Sequence, residues 1–96
     1  MAEMTNVRTG RIATDDPAGT AARTARHFAH KVEVASAGSV HRVRIGAGMF
    51  ELEPAEDALL IRLFPDDDAS LPRLREVVTS HVERFDRSGG AVEWSG

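Results

Sequence analysis

The fold of this chain is decided by residues 32–64, VEVASAGSVHRVRIGAGMFELEPAEDALLIRLF. Short runs in this segment alternate apolar and polar residues, and turn residues separate the runs. Alternation with a period of two places successive side chains on opposite faces of a strand. The gaps at residues 37–39, 46–48 and 53–57 have the size of hairpin connections. The segment therefore predicts an antiparallel meander.

Each predicted strand of the meander has one apolar face. The residues that share this face are His41, Val43, Ile45, Phe50, Leu52, Leu59, Ile61 and Leu63. The opposite face carries mainly charged residues, namely Arg42, Arg44, Glu51, Glu53, Leu60, Arg62 and Phe64. Because only the apolar face has to be removed from water, we expect other elements to cover that face alone.

Two helices are predicted on either side of the meander. Asp16 followed by Pro17 indicates a helix start, since aspartate caps free amides and proline at the first position loses no hydrogen bond. From residue 17 to residue 31, alanines and Phe28 recur at helical spacing. The second helix is predicted to begin at the cap Ser70 and to end at the glycines 89 and 90. Its apolar stripe comprises Leu71, Leu74, Val77, Val78, Val82 and Phe85.

The ends of the chain supply two more predicted strands. Residues 7–14 have the β-branched content of a strand, in which Gly10 weakens the pairing or marks a bulge. Residues 91–94 are predicted to form a final edge strand, and residues 1–6 are expected to be a loose end. The order strand, helix, four strands, helix, strand predicts one α+β domain over residues 1–96, with both helices on one face of an antiparallel sheet. We expect its core to contain Phe28, Phe50, Leu52, Leu59, Ile61, Leu63, Val78, Val82 and Phe85.

Composition excludes several classes of protein. The 96 residues are 42% hydrophobic, and no apolar run approaches the roughly 18 residues of a membrane span. The absence of cysteine excludes disulfides, thiolate nucleophiles and sulfur metal ligands. A net charge of −3 argues against a nucleic-acid partner. Because the first residues lack the features of a secretion signal, we expect a cytoplasmic protein.

The charged sheet face is the candidate ligand-binding surface. Arg42, Arg44 and Arg62, with the apolar Phe64 interleaved among the charged residues, would suit a small anionic ligand or a protein partner. We expect a monomer or a homodimer. We favour the simpler interpretation that these arginines form cross-strand pairs with the glutamates on a solvated surface, and the binding surface is the alternative.

Three histidines form a candidate metal or haem site. His27 and His30 lie three residues apart on one helical surface, close enough to share a metal ion. A closed site would need a third ligand, for which His81 is the candidate. Helical phase nevertheless places His81 on the core side of its helix and His27 away from the core side of its own. We therefore expect His81 mostly buried, His27 mostly exposed, and separate roles for the two. The carboxylates at residues 66–68 also invite a metal assignment, but we favour a solvated turn whose negative charge stabilises the start of the following helix.

Three short segments carry a resemblance to a known family. HFAHK at residues 27–31, HVERF at 81–85 and VEW at 92–94 resemble, in order and spacing, a bacterial family known as domain of unknown function 2218. The resemblance spans about residues 12 to 94. It implies a small cytoplasmic protein with no assigned activity, some of whose relatives are associated with siderophore-interacting ferric reductases. The chain departs from the family pattern at Met49, where relatives often have cysteine. The element order also resembles half of a TATA-binding-protein-like fold.

The sequence contains no recognisable catalytic machinery. There is no nucleophile paired with a base and no glycine-rich phosphate loop, so we expect no enzyme and no cofactor. The expected function is a small non-enzymatic binding or accessory module, which the resemblance associates with iron or siderophore metabolism. The alternative is a metal- or haem-binding protein that uses His27 and His30.

Overall fold

The computed structural model describes residues 8–95 as one antiparallel sheet with two α-helices. The strands are β1 Arg8–Ala13, β2 Val34–Ala37, β3 Val40–Ile45, β4 Gly48–Pro54, β5 Ala58–Pro65 and β6 Glu93–Ser95, and the helices are α1 Pro17–Ala29 and α2 Leu71–Phe85. The expectation for residues 1–6 lies outside the described residues.

The strands are ordered β2-β3-β4-β5-β1-β6 across the sheet. Strands β2 to β5 form the predicted meander, in which each strand pairs with the next. Strand β1 pairs with β5, and β6 then pairs with the outer side of β1. All of these pairings are antiparallel, so the predicted α+β class and element order are confirmed.

Both helices pack on the apolar face of the sheet. The large apolar side chains that are fully buried in the core are Ile12, Val43, Phe50, Leu52, Leu59, Ile61, Leu63, Leu74, Val78 and Val82. Phe28 joins this core from α1, with its ring centroid 5.3 Å from that of Phe50 in an edge-on arrangement. Burial of a large apolar side chain contributes roughly 1.5 to 3 kcal/mol, so this layer dominates the stability of the fold.

Phe85 is a correction to the predicted core. It is half-buried and lies outside the core cluster, although helical spacing places it on the same stripe as Val78 and Val82. Phe85 is the last residue of α2, and its ring centroid lies 5.3 Å from that of His27 on α1. The last turn of α2 thus packs Phe85 against the neighbouring helix rather than against the sheet.

The helix starts are partly as predicted. The carboxylate of Asp16 accepts a hydrogen bond from the amide of Gly19 at 3.0 Å, which confirms it as the cap of α1. Ser70 makes no side-chain cap at α2. Instead, Asp67 accepts from the amide and the hydroxyl of Ser70, at 2.9 and 2.7 Å, in a 3₁₀ turn that precedes the helix.

Gly10 continues β1 without the bulge that the sequence allowed. It pairs in register with Ile61 on one side and with Trp94 on the other. A β-carbon at this position would lie 2.5 Å from Cε3 of Trp94. Glycine is therefore needed here because the Trp94 ring lies directly against the backbone of β1.

A buried carboxylate links the end of α2 to the segment that precedes α1. Asp86, directly after α2, is 6% exposed. It accepts hydrogen bonds from the Thr14 hydroxyl at 2.6 Å, the Gly90 amide at 2.8 Å and the Ser88 amide at 3.3 Å. Arg23 of α1 also donates to the carbonyl of Phe85, at 3.1 and 3.0 Å. These bonds anchor the end of α2 to the middle of α1 and to Thr14, which precedes α1.

Candidate functional site

The arginines of the charged sheet face are paired with carboxylates. Arg42, Glu51 and Arg62 lie opposite one another on β3, β4 and β5. Glu51 is only 9% exposed, and its carboxylate accepts from Arg42 and, at 3.5 Å, from Arg62. Arg62 also donates to Glu53 at 2.7 Å, and this hydrogen bond raises the pKa of Arg62. This row is the cross-strand arrangement that was the favoured interpretation of the sequence.

The remaining candidates on this face lie beside that row. Arg44 donates to both carboxylate oxygens of Asp66, at 2.9 and 3.0 Å. Phe64 is half-buried on β5, opposite Met49 on β4. Because Arg42, Arg44 and Arg62 all have acidic partners, much of the positive charge of this face is neutralised within the protein.

A cleft of about 660 Å³ lies between α1, the turn that joins β3 to β4, and α2. We call it the interhelical cleft. Its lining residues are His27, Phe28, Lys31, Val32, Ile45, Gly46, Ala47, Ala69, Ser70, Arg73, Val77 and His81. All four ionisable residues of this lining are basic, whereas the chain as a whole carries a net charge of −3. With the histidines neutral, the positive charge of the cleft comes from Lys31 and Arg73, and Arg73 also forms an exposed ion pair with Glu76 at 3.7 Å.

Helical spacing explains how these side chains come together. Arg73, Val77 and His81 are four residues apart on α2, so they lie along one side of that helix. His27 is on the last turns of α1, and Lys31 follows directly after the helix. The cleft thus has basic groups from two elements and an apolar wall formed by Val32, Ile45, Ala47 and Val77.

The rings of His27 and His81 lie side by side across the two helices. Their centroids are 5.1 Å apart, and the His81 centroid is 4.7 Å from that of Phe28. His27 is exposed, as predicted, but His81 is only half-buried. The expectation that the two histidines lie apart is wrong. Helical phase located each residue relative to its own stripe, whereas the packing of α1 beside α2 brings the flanks of the helices together.

His30 does not take part in this contact. It lines a separate shallow hollow with Arg23, Arg26, His27 and Phe85. Among residues 8–95, no group of three histidine, cysteine or acidic side chains is placed to hold a metal ion. The structure therefore brings together His27 and His81, rather than the predicted set of His27, His30 and His81.

Hydrogen bonding determines the tautomer of His81. Its Nδ1 lies 2.7 Å from the carbonyl oxygen of Val77. A carbonyl oxygen can only accept a hydrogen bond, so Nδ1 carries the proton and donates it. When this ring is neutral, Nε2 therefore has a lone pair and no hydrogen.

His27 has a different electrostatic environment. Its pKa is lowered, first by desolvation against neighbouring groups and then by the positive charge of His81, Arg84, His30 and Lys31. Both effects disfavour the imidazolium form. An anion that entered the cleft would counteract the electrostatic part of this lowering, because it would offset the positive charge around His27.

A second groove, of about 590 Å³, lies between α2 and β6. The guanidinium carbon of Arg75 is 5.5 Å from the centroid of the Trp94 ring, and the indole nitrogen of Trp94 donates to the Thr79 hydroxyl at 2.9 Å. Glu83 accepts from the amide of Val92 at 2.8 Å. These contacts attach the end of the chain to α2, which is a structural role for the VEW segment.

Sequence reasoning missed the part of the cleft that α2 supplies near its start. Arg73 was not singled out, although its spacing of four and eight residues from Val77 and His81 was visible in the sequence. Lys31 was noted only as part of the HFAHK segment at residues 27–31. The missing information was which flanks of the two helices face each other.

No helix among the described residues is long and apolar enough to cross a membrane. Comparison with the curated proteins produced no significant match. Among solved structures, the chain is similar to the NMR structure of PA4090 from Pseudomonas aeruginosa, at 27% sequence identity and a TM-score of 0.74. That similarity covers 93% of this chain and 94% of the other.

A family model confirms the resemblance that the short segments indicated. The model, described as an uncharacterized protein conserved in bacteria, matches residues 9–95. Two of the segments behind the resemblance, at residues 27–31 and 81–85, meet in the interhelical cleft through His27, Lys31 and His81. This chain belongs to the bacterial family DUF2218.

Proposed function

We propose that this protein is a non-enzymatic module that binds a small anionic ligand in the interhelical cleft. One observation carries the proposal: every ionisable residue that lines the cleft is basic, on a chain with a net charge of −3. Clustered charge of one sign in a concave site attracts ligands of the opposite sign. The site proposed from the sequence, on the charged sheet face, has lower priority because its arginines are held by acidic partners at 2.7 to 2.9 Å. Arg73 of the cleft also pairs with an acidic residue, Glu76, but that pair is 3.7 Å long and both side chains are 73% exposed.

The lining also indicates the shape of the ligand. Lys31 and Arg73 supply positive charge, and Val32, Ile45 and Val77 supply apolar surface. Ligand sites in proteins typically combine an apolar lining with a few polar groups that determine orientation. We therefore propose a ligand with an anionic group and an aromatic or aliphatic body.

The hydrogen bonds of the cleft support binding rather than catalysis. Ser70 is the only hydroxyl-bearing residue of the lining, and its hydroxyl donates to the carboxylate of Asp67 at 2.7 Å. A nucleophilic serine would instead require a neighbouring base aligned to remove its proton. This proposal includes a cytoplasmic accessory role in iron or siderophore metabolism, which the family resemblance suggests, and ferric siderophores belong among the ligands to be tested.

A titration followed by backbone amide chemical shifts tests the proposal. The first probe is naphthalene-2-sulfonate, which combines a permanent anion with an apolar body, and anionic metabolites and ferric siderophores follow. We expect shifts around His27, Lys31 and Arg73. The double variant Lys31→Gln/Arg73→Gln should bind the probe about tenfold more weakly, equivalent to about 1.4 kcal/mol.

The matched control is the double variant Arg42→Ala/Arg44→Ala, which removes the same number of charges from the sheet face. It should bind the probe as the wild type does. If it weakens binding while the Lys31/Arg73 variant does not, the site is on the sheet face. If no anionic probe causes shifts at millimolar concentration, the proposed function is wrong.

The contact between two histidines supports a second candidate function, metal binding. His27 and His81 have ring centroids 5.1 Å apart, and Nδ1 of His81 donates to a backbone carbonyl. Histidines that bind metals usually donate their other ring nitrogen in this way. The candidate pair is thus His27 and His81, in place of His27 and His30, with remaining coordination positions supplied by a chelate or haem.

Cobalt(II) and haem titrations followed by absorbance test this second function. We expect visible cobalt bands, or a shifted haem Soret band, that His81→Gln removes and His30→Gln retains. Spectra that are identical in the wild type and His81→Gln would eliminate this pair as ligands.

A further inference from the structure

A shallow hollow of about 230 Å³ adjoins the interhelical cleft. We call it the outer hollow, and its lining residues are Arg23, Arg26, His27, His30 and Phe85. His27 also lines the cleft, so the two concave surfaces adjoin at this residue. The surface available to a ligand of the cleft therefore continues into the outer hollow.

The outer hollow, like the cleft, is basic. Four of its five described lining residues are basic and none is acidic. Arg23, Arg26 and His30 are three and four residues apart, which places them along one side of α1. Residues 17–31 contain no acidic residue. Asp16, just before the helix, pairs with Arg23 at 3.5 Å, so the free charge of the hollow is mainly that of Arg26.

Three cations around these two surfaces have no acidic partner. Arg26 lines the outer hollow, Lys31 lines the cleft, and the guanidinium carbon of Arg84 lies 5.4 Å from the centroid of the Phe85 ring. Within the described part of the chain, none of the three forms an ion pair. The arginines of the charged sheet face, in contrast, are all paired. Unpaired positive charge therefore remains on both sides of His27.

A row of three rings connects the two surfaces. Phe85 lines the outer hollow, His27 lines both surfaces, and His81 lines the cleft. The ring centroids of Phe85 and His27 are 5.3 Å apart, and those of His27 and His81 are 5.1 Å apart. Phe85 and His81 are four residues apart on α2, which corresponds to about 6 Å along the helix. This row offers a surface to the body of a ligand that reaches from the cleft into the outer hollow.

We propose that the ligand of the interhelical cleft is an elongated dianion whose second anionic group binds in the outer hollow, at Arg26 and Arg84. The inference rests on the proposed function, because it names the ligand class of that same site. The first anionic group binds at Lys31 and Arg73, as proposed above. Arg26 and Lys31 are five residues apart, about 7.5 Å along the direction of α1, so the two anionic groups should be roughly 8 to 12 Å apart. Disulfonates, dicarboxylates and bisphosphates with an extended body belong to this class.

Two linked anionic groups suit these cations better than one. A single anion in the cleft leaves Arg26 and Arg84 without a counterion. A second group on the same molecule binds without a further loss of translational freedom, because the first group already holds it near the outer hollow. An exposed ion pair contributes at most about fivefold to an equilibrium constant, so two cations should give an advantage of about five- to tenfold.

Three probes test this inference by titration of the full chain, followed by amide chemical shifts. Biphenyl-4,4′-disulfonate carries sulfonates at opposite ends of a rigid body, and biphenyl-4-sulfonate has the same body with one charge. Benzene-1,3-disulfonate has two charges too close together to reach both surfaces. We expect the biphenyl disulfonate to bind about five- to tenfold more tightly than the monosulfonate and to shift the amides of Arg26 and His30 as well as those of the cleft. This advantage should shrink as salt is added, because exposed charges are screened.

Two double variants locate the second anionic group. Arg26→Gln/Arg84→Gln should reduce the advantage of the biphenyl disulfonate to less than about twofold, since it removes the free cations of the outer hollow. Its affinity for the monosulfonate and for benzene-1,3-disulfonate should stay within about twofold of the wild-type value, because the cleft is unchanged. The matched control, Arg42→Gln/Arg44→Gln, removes the same charge from the sheet face and should retain the full advantage.

The outcomes separate this inference from the proposed function. Equal affinities of the wild type for the two biphenyl probes overturn the second anionic group and leave the anion site of the cleft in place. An advantage that survives in Arg26→Gln/Arg84→Gln, or that disappears in the sheet-face control, overturns its assignment to the outer hollow. Failure of all three probes to bind at millimolar concentration overturns the proposed function itself.

Discussion

Replacing Asp86 by asparagine is expected to destabilise the protein and to change how its stability depends on pH. The carboxylate is 6% exposed and accepts hydrogen bonds from Thr14, Gly90 and Ser88, at 2.6, 2.8 and 3.3 Å. Asparagine keeps one acceptor oxygen, but its amide nitrogen replaces the other carboxylate oxygen and cannot accept the hydrogen bonds that this oxygen received. Loss of a hydrogen bond to a charged acceptor, together with an unpaired donor, should cost about 2 to 4 kcal/mol. That is a large part of the stability of a small domain.

The pH dependence gives the prediction a second, independent measurement. Burial raises the pKa of Asp86, but the hydrogen bonds from Thr14, Gly90 and Ser88 outweigh it, so the pKa is lowered overall. A carboxyl whose pKa is lower when folded stabilises the protein above the unfolded pKa of about 4, and this contribution is lost as the pH falls. The difference in unfolding free energy between the wild type and Asp86→Asn should therefore narrow between about pH 7 and about pH 3.

Urea unfolding followed by circular dichroism at several pH values measures both quantities. The matched control is Asp57→Asn, because the Asp57 side chain is 89% exposed and its ion pair with Arg11 is 4.0 Å long. The control should change stability by less than about 0.5 kcal/mol at any pH. If Asp86→Asn is as stable as this control, or if its deficit is the same at acidic and neutral pH, Asp86 does not anchor α2 as we infer.

The other predictions concern packing, and urea unfolding measures each. Gly10→Ala should cost about 1 to 3 kcal/mol because the new methyl group would lie 2.5 Å from Trp94, whereas Gly46→Ala, with nothing within 4 Å, should be nearly neutral. A neutral Gly10→Ala would show that the ring does not lie against β1. Phe85→Ala should cost about 1 to 2 kcal/mol, less than the 3 to 5 of a core phenylalanine, since Phe85 is half-buried. Thr79→Val should cost about 1 kcal/mol because it removes the acceptor for the Trp94 indole, and retention of wild-type stability would contradict that role.

The boundaries of the elements show how far local patterns reach. The helix start at Asp16 was predictable because its cap involves only residues three positions apart. The second start, after Ser70, was also placed correctly, but Ser70 makes no side-chain cap, since Asp67 caps a preceding 3₁₀ turn whose presence the pattern does not indicate. Strand β2 runs over Val34–Ala37, so it begins two residues after residue 32, where the predicted meander starts. Its alternation is weak, and its position is set by pairing with β3.

The candidate sites show the same limit more clearly. From the sequence, the arginines of the charged sheet face could either bind a ligand or pair with glutamates. Only the register of β3, β4 and β5 shows that Glu51 lies between Arg42 and Arg62. The contact of His27 with His81 joins residues 54 positions apart on different helices. No periodicity within one helix can predict such a contact.

The sequence by itself determined the architecture of this protein. Apolar residues at a period of two or at helical spacing must be buried, and burying one sheet face under two stripes leaves few arrangements. Tertiary structure decided where the charges are neutralised and where they accumulate. The sheet register pairs the arginines with glutamates, and the packing of α1 beside α2 places His27, Lys31, Arg73 and His81 around one cleft. The physical reason is that burial depends on the local pattern, whereas a binding site depends on which surfaces face each other after the chain has folded.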